Sequence, residues 1–370
     1  MIASKPPIES SQRETTMNSH PRSITELFGI ELPIIQAPML GIVTASMVAG
    51  VAEAGGLGSL PLTHLSRQAA WTMFSEIRQR TSKPVNVNFL CHRAPERNPV
   101  SENAWNGCLM RYYAELGLAS DQSLHGVLVP TFSDAHCDLL DEIRPEIVSF
   151  HFGLPPEPLL ARVRKTGAKI VSSATTVEEA EWLEQAGCDA IIAQGLEAGG
   201  HRGTFLHDQV DAQVGTMALV PQIVDAVKVP VIAAGGIGDQ RGVAAAFALG
   251  ASAVQVGTAF LFCEEANVSP LYRKAVRAAR PEQTLVTNVF TGRPARVREN
   301  RIVRELGPIA KNLPAFPLAA TPLAPLRAAS EPHGCTDFVP LWCGQAACLS
   351  PELSAAELTR WLSTPHQQQL

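Results

Sequence analysis

The chain has 370 residues, of which 46% are hydrophobic and 18% charged, and a formal net charge of −5. That composition supplies a large core and excludes wholesale disorder, while scattered lysines and arginines under a negative balance exclude a nucleic-acid binder. No run approaches the ~20 apolar residues of a membrane span. Residues 1–22 are polar, carry Glu9 and Glu14 and lack a hydrophobic stretch, so they read as a disordered lead with Met17 as an alternative start, not as a signal peptide.

From there, apolar runs bounded by turn residues alternate with helical patterns. Strands are predicted at 33–38, 57–62, 84–90, 146–152, 168–174, 190–194, 229–235 and 253–259. They are nearly continuous in Val, Ile and Ala, as parallel strands covered on both faces must be. Eight such units predict a (β/α)8 TIM barrel over residues 23–265. Helix signals agree: Ser66 caps a helix with Ala70, Met73, Phe74 and Ile77 on one face, and Thr176 with Glu179 forms a capping box whose helix closes at Gly187. Asp239 caps a helix running to Gly250, and Pro270 begins the helix after the eighth strand. Two stretches break the repeat: an excursion at 91–127 with Trp105, Tyr112 and Tyr113, and residues 266–350, Pro-rich from Leu313 to Pro325. Together they predict a smaller, helical lid or substrate domain, followed by a C-terminal helix and tail at 351–370.

The chemistry collects at strand ends. Gly235 and Gly236 follow the seventh strand, and Gln255, Val256, Gly257 and Thr258 end the eighth, where barrels bind phosphate through backbone N–H groups. The blander reading is tight turns. A dinucleotide fingerprint is excluded, because the third glycine falls at 242, one position late. Gln36, Ala37, Pro38 and Met39 end the first strand; Asn86 and Asn88 share a side of the third and need buried partners. His151 and His201 lie past the fourth and sixth strands, His201 after Gln194, Gly199 and Gly200. Either is a candidate acid or base, or simply a hydrogen-bonded structural residue. H-E-x-x-H and G-x-S-x-G are both lacking, which argues against a zinc site and a hydrolase triad.

With PIIQAPM (33–39), KPVNVNFLCH (83–92), SFHFGLP (149–155), AQGLEAGGHRGTF (193–205), VIAAGGIGDQRG (231–242), QVGTAFL (255–261), TGRPAR (291–296) and LWCGQAA (341–347), the chain resembles the nitronate monooxygenases from Thr25 to Leu349. It departs from them at Val297 and Cys343, on the lid side. The resemblance implies an FMN enzyme in which Gln36–Met39, Asn88, Gln194, Gly199, Gly200, Gly235, Gly236 and Gln255–Thr258 hold the flavin. It makes His201 the catalytic base, with His151 in the same pocket. The implied substrates are O2 and alkyl nitronates, including propionate-3-nitronate, with neutral nitroalkanes beside them, and the products are a carbonyl compound and nitrite. Imidazole chemistry is compatible with this: at an ordinary pKa near ~6.5, histidine can bind a nitronate as the cation or take an α-proton as the neutral base. An NADH-dependent flavin reductase on the same barrel and a flavin-free phosphate-binding isomerase or lyase remain the alternatives. Eight cysteines without a C-x-x-C pair read as reduced, mostly buried thiols of a cytoplasmic protein. Neither nucleic acid nor membrane is expected as a partner, and a homodimer is left open.

Overall fold

The computed structural model describes residues 23–119, 129–207 and 213–366; the N-terminal lead (1–22), the end of the excursion (120–127) and the last four residues lie outside the described residues. The strands are β1 (Ile34–Gln36), β2 (Gly58–Pro61), β3 (Val85–Leu90), β4 (Ile147–His151), β5 (Lys169–Ala174) and β6 (Ala190–Gln194). The two-residue β7 (Gly200–His201) follows, then β8 (Val231–Ala234), β9 (Ala253–Val256), β10 (Thr284–Thr287) and β11 (Ala295–Arg298). Eight of them form one parallel sheet in the order β1-β9-β8-β6-β5-β4-β3-β2. A parallel bridge from Ile35 to Leu57 brings its ends together, giving the TIM barrel. Each barrel strand falls inside its predicted range.

Side-chain parity decides what each strand residue does. On β6, Ile191 and Ala193 pack outward against the helices, with Val148, Phe150, Val231, Ala233, Val254 and Val256 in the same layer. Ala190 and Ile192 face inward with Ile35, Leu57, Ile147, Val171, Ile232 and Ala253, beside Ile24 and Phe28 of the N-terminal helix. Higher in the barrel the inward positions turn polar. Asn86 Nδ2 donates to Ser59 Oγ (3.0 Å) and Ser149 Oγ (2.9 Å), and Asn88 Nδ2 donates to Ser149 Oγ (2.9 Å). The barrel is thus sealed with hydrocarbon at one end and lined with amides and hydroxyls at the other.

The helix caps follow the sequence, with one correction. Ser66 and Asp239 cap as expected, and Thr176 Oγ1 accepts from Glu179 N. Glu179, however, does not return the bond to Thr176. It is buried, its Oε2 accepts from Thr175 N (2.7 Å) and Thr175 Oγ1 (2.8 Å), and its Oε1 accepts from Phe205 N (2.7 Å). Desolvation favours these fixed donors on both sides of the helix start, so the carboxylate ties the loop after His201 to the barrel.

The excursion and the C-terminal region share a second core. Trp105, Leu109, Tyr112 and Tyr113, on the helix Pro99–Glu115, pack with Val289, Phe290, Val297, Ile302, Val303, Leu323 and Phe338. Trp105 Nε1 donates to Ala319 O (3.0 Å) and Tyr113 Oη to Pro322 O (2.7 Å). The region 266–350 is not purely helical, as the sequence reading had it. β10 and β11 pair antiparallel, and β11 continues onto β7 with Ala295 opposite His201. The helix Ala355–Ser363 belongs to the barrel's outer layer, where Ala355, Leu358 and Leu362 join the main core. Four cysteines are buried, but Cys108 and Cys348 are exposed, so the thiols are less buried than expected. Among the described residues no helix is long and apolar enough to cross a membrane.

Candidate active site

A cleft opens at the C-terminal ends of the barrel strands. It brings together Ala37, Pro38, Met39, Asn88, Gln194, Gly199, Gly200, Gly235, Gly236, Gln255, Gly257 and Thr258, all singled out from the sequence, with His151 and His201. Two expected residues do not line it. Gln36 is fully buried with its Oε1 accepting from Ser59 N (2.9 Å), and Val256 sits in the outer core. Both have the outward parity of their strands, so neither side chain can reach the mouth.

One side of the cleft is backbone. Gly235 (φ 110°) and Gly236 (φ 72°) occupy conformations closed to most side chains. A Cβ on Gly235 would lie 2.9 Å from Ala198 N, and one on Gly199 would lie 2.5 Å from the backbone of Cys343 and Gly344. The loops after β6 and β8 and the LWCGQAA segment therefore stack main chain on main chain, fastened by Gly344 N donating to Thr258 Oγ1 (2.9 Å). The N–H groups of Gly236, Gly257 and Thr258 have no acceptor among the described residues. Nearby, Gln255 Oε1 is buried without a donor. Unfilled amide donors at two glycine loops suit a phosphate, and an orphaned amide oxygen suits a ring N–H or a hydroxyl. A flavin mononucleotide would satisfy both.

The opposite side is aromatic. His201 lies 5.3 Å from Phe316 and 5.2 Å from Trp342, centroid to centroid, and 6.0 Å from Phe152. Its Nε2 lies 2.9 Å from Thr291 Oγ1, and its carbonyl accepts from Gln194 Nε2 (3.0 Å). His151 Nδ1 lies 3.0 Å from Ser173 Oγ. Phe152, immediately after it, is a buried non-glycine residue at φ 72°, a strained conformation that turns the chain away from the strand and packs its ring against His151 and His201. The Arg293 guanidinium stacks on that ring, 3.8 Å from its centroid. No lysine, arginine or carboxylate lines the cleft itself among the described residues.

These surroundings set the protonation states. The pKa of His201 is pushed down to about 3, first by burial and then by His151, Arg293 and His92; that of His151 falls to about 4, by burial and Arg293. Burial thus favours the neutral form of both imidazoles at neutral pH, the form in which a histidine can accept a proton. Ser173, Thr291, Phe152, Phe316 and Trp342 are cleft or contact residues that the sequence reading did not single out. Phe152, Thr291 and Trp342 lie within the motifs SFHFGLP, TGRPAR and LWCGQAA, and Ser173 has inward parity on the strand beside His151; Phe316 left no signal. Among the described residues no cluster of three or more His, Cys, Asp or Glu could hold a metal.

A sequence profile of the nitronate monooxygenase family matches residues 22–364. The chain belongs to the nitronate monooxygenase family. It is 43% identical over 340 residues to a nitronate monooxygenase of Pseudomonas aeruginosa, covering 91% of this chain and 97% of that one. To one of Paraburkholderia phytofirmans it is 40% identical over 352 residues, covering 94% and 96%. Among solved structures, a nitroalkane oxidase from Streptomyces ansochromogenes superposes with a TM-score of 0.82 at 35% identity, over 92% of this chain and 96% of that one. FabK from Thermotoga maritima superposes at 0.69 with 30% identity, over 92% and 94%. The chain is accordingly an enzyme of a flavin-dependent oxidoreductase family, and the nitronate monooxygenase motifs converge on one cleft.

Proposed function

We propose that this chain uses FMN and O2 to oxidise alkyl nitronates and neutral nitroalkanes to a carbonyl compound and nitrite. The observation that carries the proposal is a neutral His201 facing the same cleft as the glycine loops, in an aromatic box. Gly236, Gly257 and Thr258 N–H groups would hold the phosphate, and Gln255 Oε1 and the Ala37–Met39 wall would hold the ring. When bound, FMN supplies the electron-accepting chemistry that protein side chains lack.

His201 would take the α-proton of a nitroalkane as general base; a nitronate, already deprotonated, needs only binding. The anion would be favoured by the Arg293 guanidinium stacked on Phe152, which would act through space without lining the cleft. Phe152, Phe316 and Trp342 would exclude water, and the excursion and C-terminal region would act as the cover that holds the last two in place. The free cysteines support a reducing compartment, the cytoplasm.

The test is to mix the purified flavoprotein with propyl nitronate or with NADH, following O2 uptake, nitrite and NADH absorbance. Nitrite formation with O2 uptake and no NADH oxidation is expected. NADH oxidation without nitrite from propyl nitronate would overturn the reading in favour of a reductase.

A further inference from the structure

The hydrogen-bonding geometry at Thr291 determines which nitrogen of His201 is the base. Thr291 Oγ1 meets three groups: His201 Nε2 at 2.9 Å, the Arg293 carbonyl at 3.3 Å and the Arg293 N–H at 3.4 Å. A hydroxyl offers one proton and two lone pairs. The carbonyl can only accept and the amide can only donate. All three contacts are satisfied in one arrangement alone: the hydroxyl donates to Arg293 O and accepts from both Arg293 N–H and an Nε2–H of His201. The imidazole is neutral, so the proton on Nε2 leaves Nδ1 with its lone pair. Nδ1 makes no hydrogen bond to a described residue and is not among the atoms sealed from solvent, so it opens onto the cleft that His201 lines.

We infer that Thr291 is a positioning residue that fixes His201 in the Nε2–H tautomer and makes Nδ1 the base for nitroalkanes. The inference rests on the nitroalkane activity proposed above. In the step, the Cα–H bond breaks, its electron pair becomes the C=N bond of the nitronate, and the proton forms a new N–H bond at Nδ1. The resulting imidazolium keeps its Nε2–H on Thr291. The ring's orientation is fixed from the backbone as well, since β7 pairs His201 with Ala295 and Gln194 Nε2 holds the His201 carbonyl. Thr291 lies in the turn that leads into that same partner strand, so the pairing and the hydroxyl set the ring together.

The test compares the flavin-loaded wild type with Thr291→Val and Thr291→Ser on nitroethane and on ethyl nitronate. Thr291→Val should lower kcat on nitroethane roughly 10-fold or more, part of the ~10²–10⁴ a base contributes. Ethyl nitronate turnover should stay within about 2-fold, because it needs no proton removed. Thr291→Ser should restore both. Independently, nitrogen NMR of 15N-histidine-labelled protein should find the His201 proton on Nε2 in the wild type and divided between the two neutral tautomers in Thr291→Val. Equal losses on the two substrates, or a wild-type proton on Nδ1, would overturn the inference. Absence of nitrite from either substrate with the wild type would sink the proposed function instead, while the NMR result would still decide the tautomer.

Discussion

Arg202→Met is the most informative single change to the loop that carries His201. Arg202 is fully buried and donates to Gln213 Oε1 (2.6 Å), Gln194 Oε1 (3.0 Å), Gly195 O (2.6 Å) and Gln194 O (2.8 Å). All four acceptors are neutral. Burial pushes its pKa down to about 10, which still leaves it charged at neutral pH. Methionine keeps the stem and removes every donor. Gly195 O retains Ala198 N (3.1 Å) and Gln194 Oε1 retains Gly203 N (2.8 Å), so the loss falls chiefly on Gln194 O. A stranded buried acceptor costs about 1–3 kcal/mol, and relief of the buried charge offsets part of it, giving a net loss of roughly 1–2 kcal/mol. At about 2–4 °C per kcal/mol in domains somewhat smaller than this one, the melting midpoint should fall by roughly 2–8 °C. Gln194 also holds the His201 carbonyl, so turnover of neutral nitroalkanes should fall about 10-fold, as loss of a positioning contact does. Calorimetry and a nitrite assay on the same preparation read both effects. A midpoint within about 1 °C of wild type, with unchanged turnover, would show that the Arg202 clamp is not what holds the loop.

His201→Asn should keep the flavin while turnover of neutral nitroalkanes falls ~10²–10⁴-fold; near-normal turnover would move the base to His151. Gly199→Ala places a methyl 2.5 Å from the Cys343–Gly344 backbone, which cannot yield as a side chain would. It should cost about 1–3 kcal/mol and reduce flavin retained through gel filtration, whereas full retention would refute the close stacking. Gly236→Val should also release flavin, since φ 72° strains any branched residue and its Cβ would crowd Glu197; flavin content by absorbance checks it. For pH, the folded-state values of His201 and His151 (about 3 and about 4) lie below the ordinary 6.5. The unfolded chain therefore binds protons first as pH falls. Their contribution to stability is full above pH 6.5 and is lost towards pH 3. Melting midpoints should decline through that window, less steeply in His201→Asn, and kcat/KM on nitroethane should show no titration near 6.5.

Local pattern was enough for the barrel. β-branched runs such as those around Ile191 and Val231 can bury both faces only in a parallel sheet, and eight of them close one. Glycines at 235, 236 and 257 and histidines at 151 and 201 marked the mouth because strand ends are where backbone must turn and polar groups can surface. Parity, already used for Asn86 and Asn88, would have removed Gln36 and Val256 from the site had it been applied to β1 and β9. Other features had no local signature. The pairing of β7 with β11 joins residues about ninety positions apart, and the Thr291–His201 bond exists only because that pairing forms. The depressed histidine pKa values likewise come from burial and from His151, Arg293 and His92, groups far apart in sequence that only the folded chain brings together. Sequence alone determines periodicity and turn chemistry, which act over a few residues. Tautomer, charge state and cleft shape depend on neighbours that only the folded chain supplies.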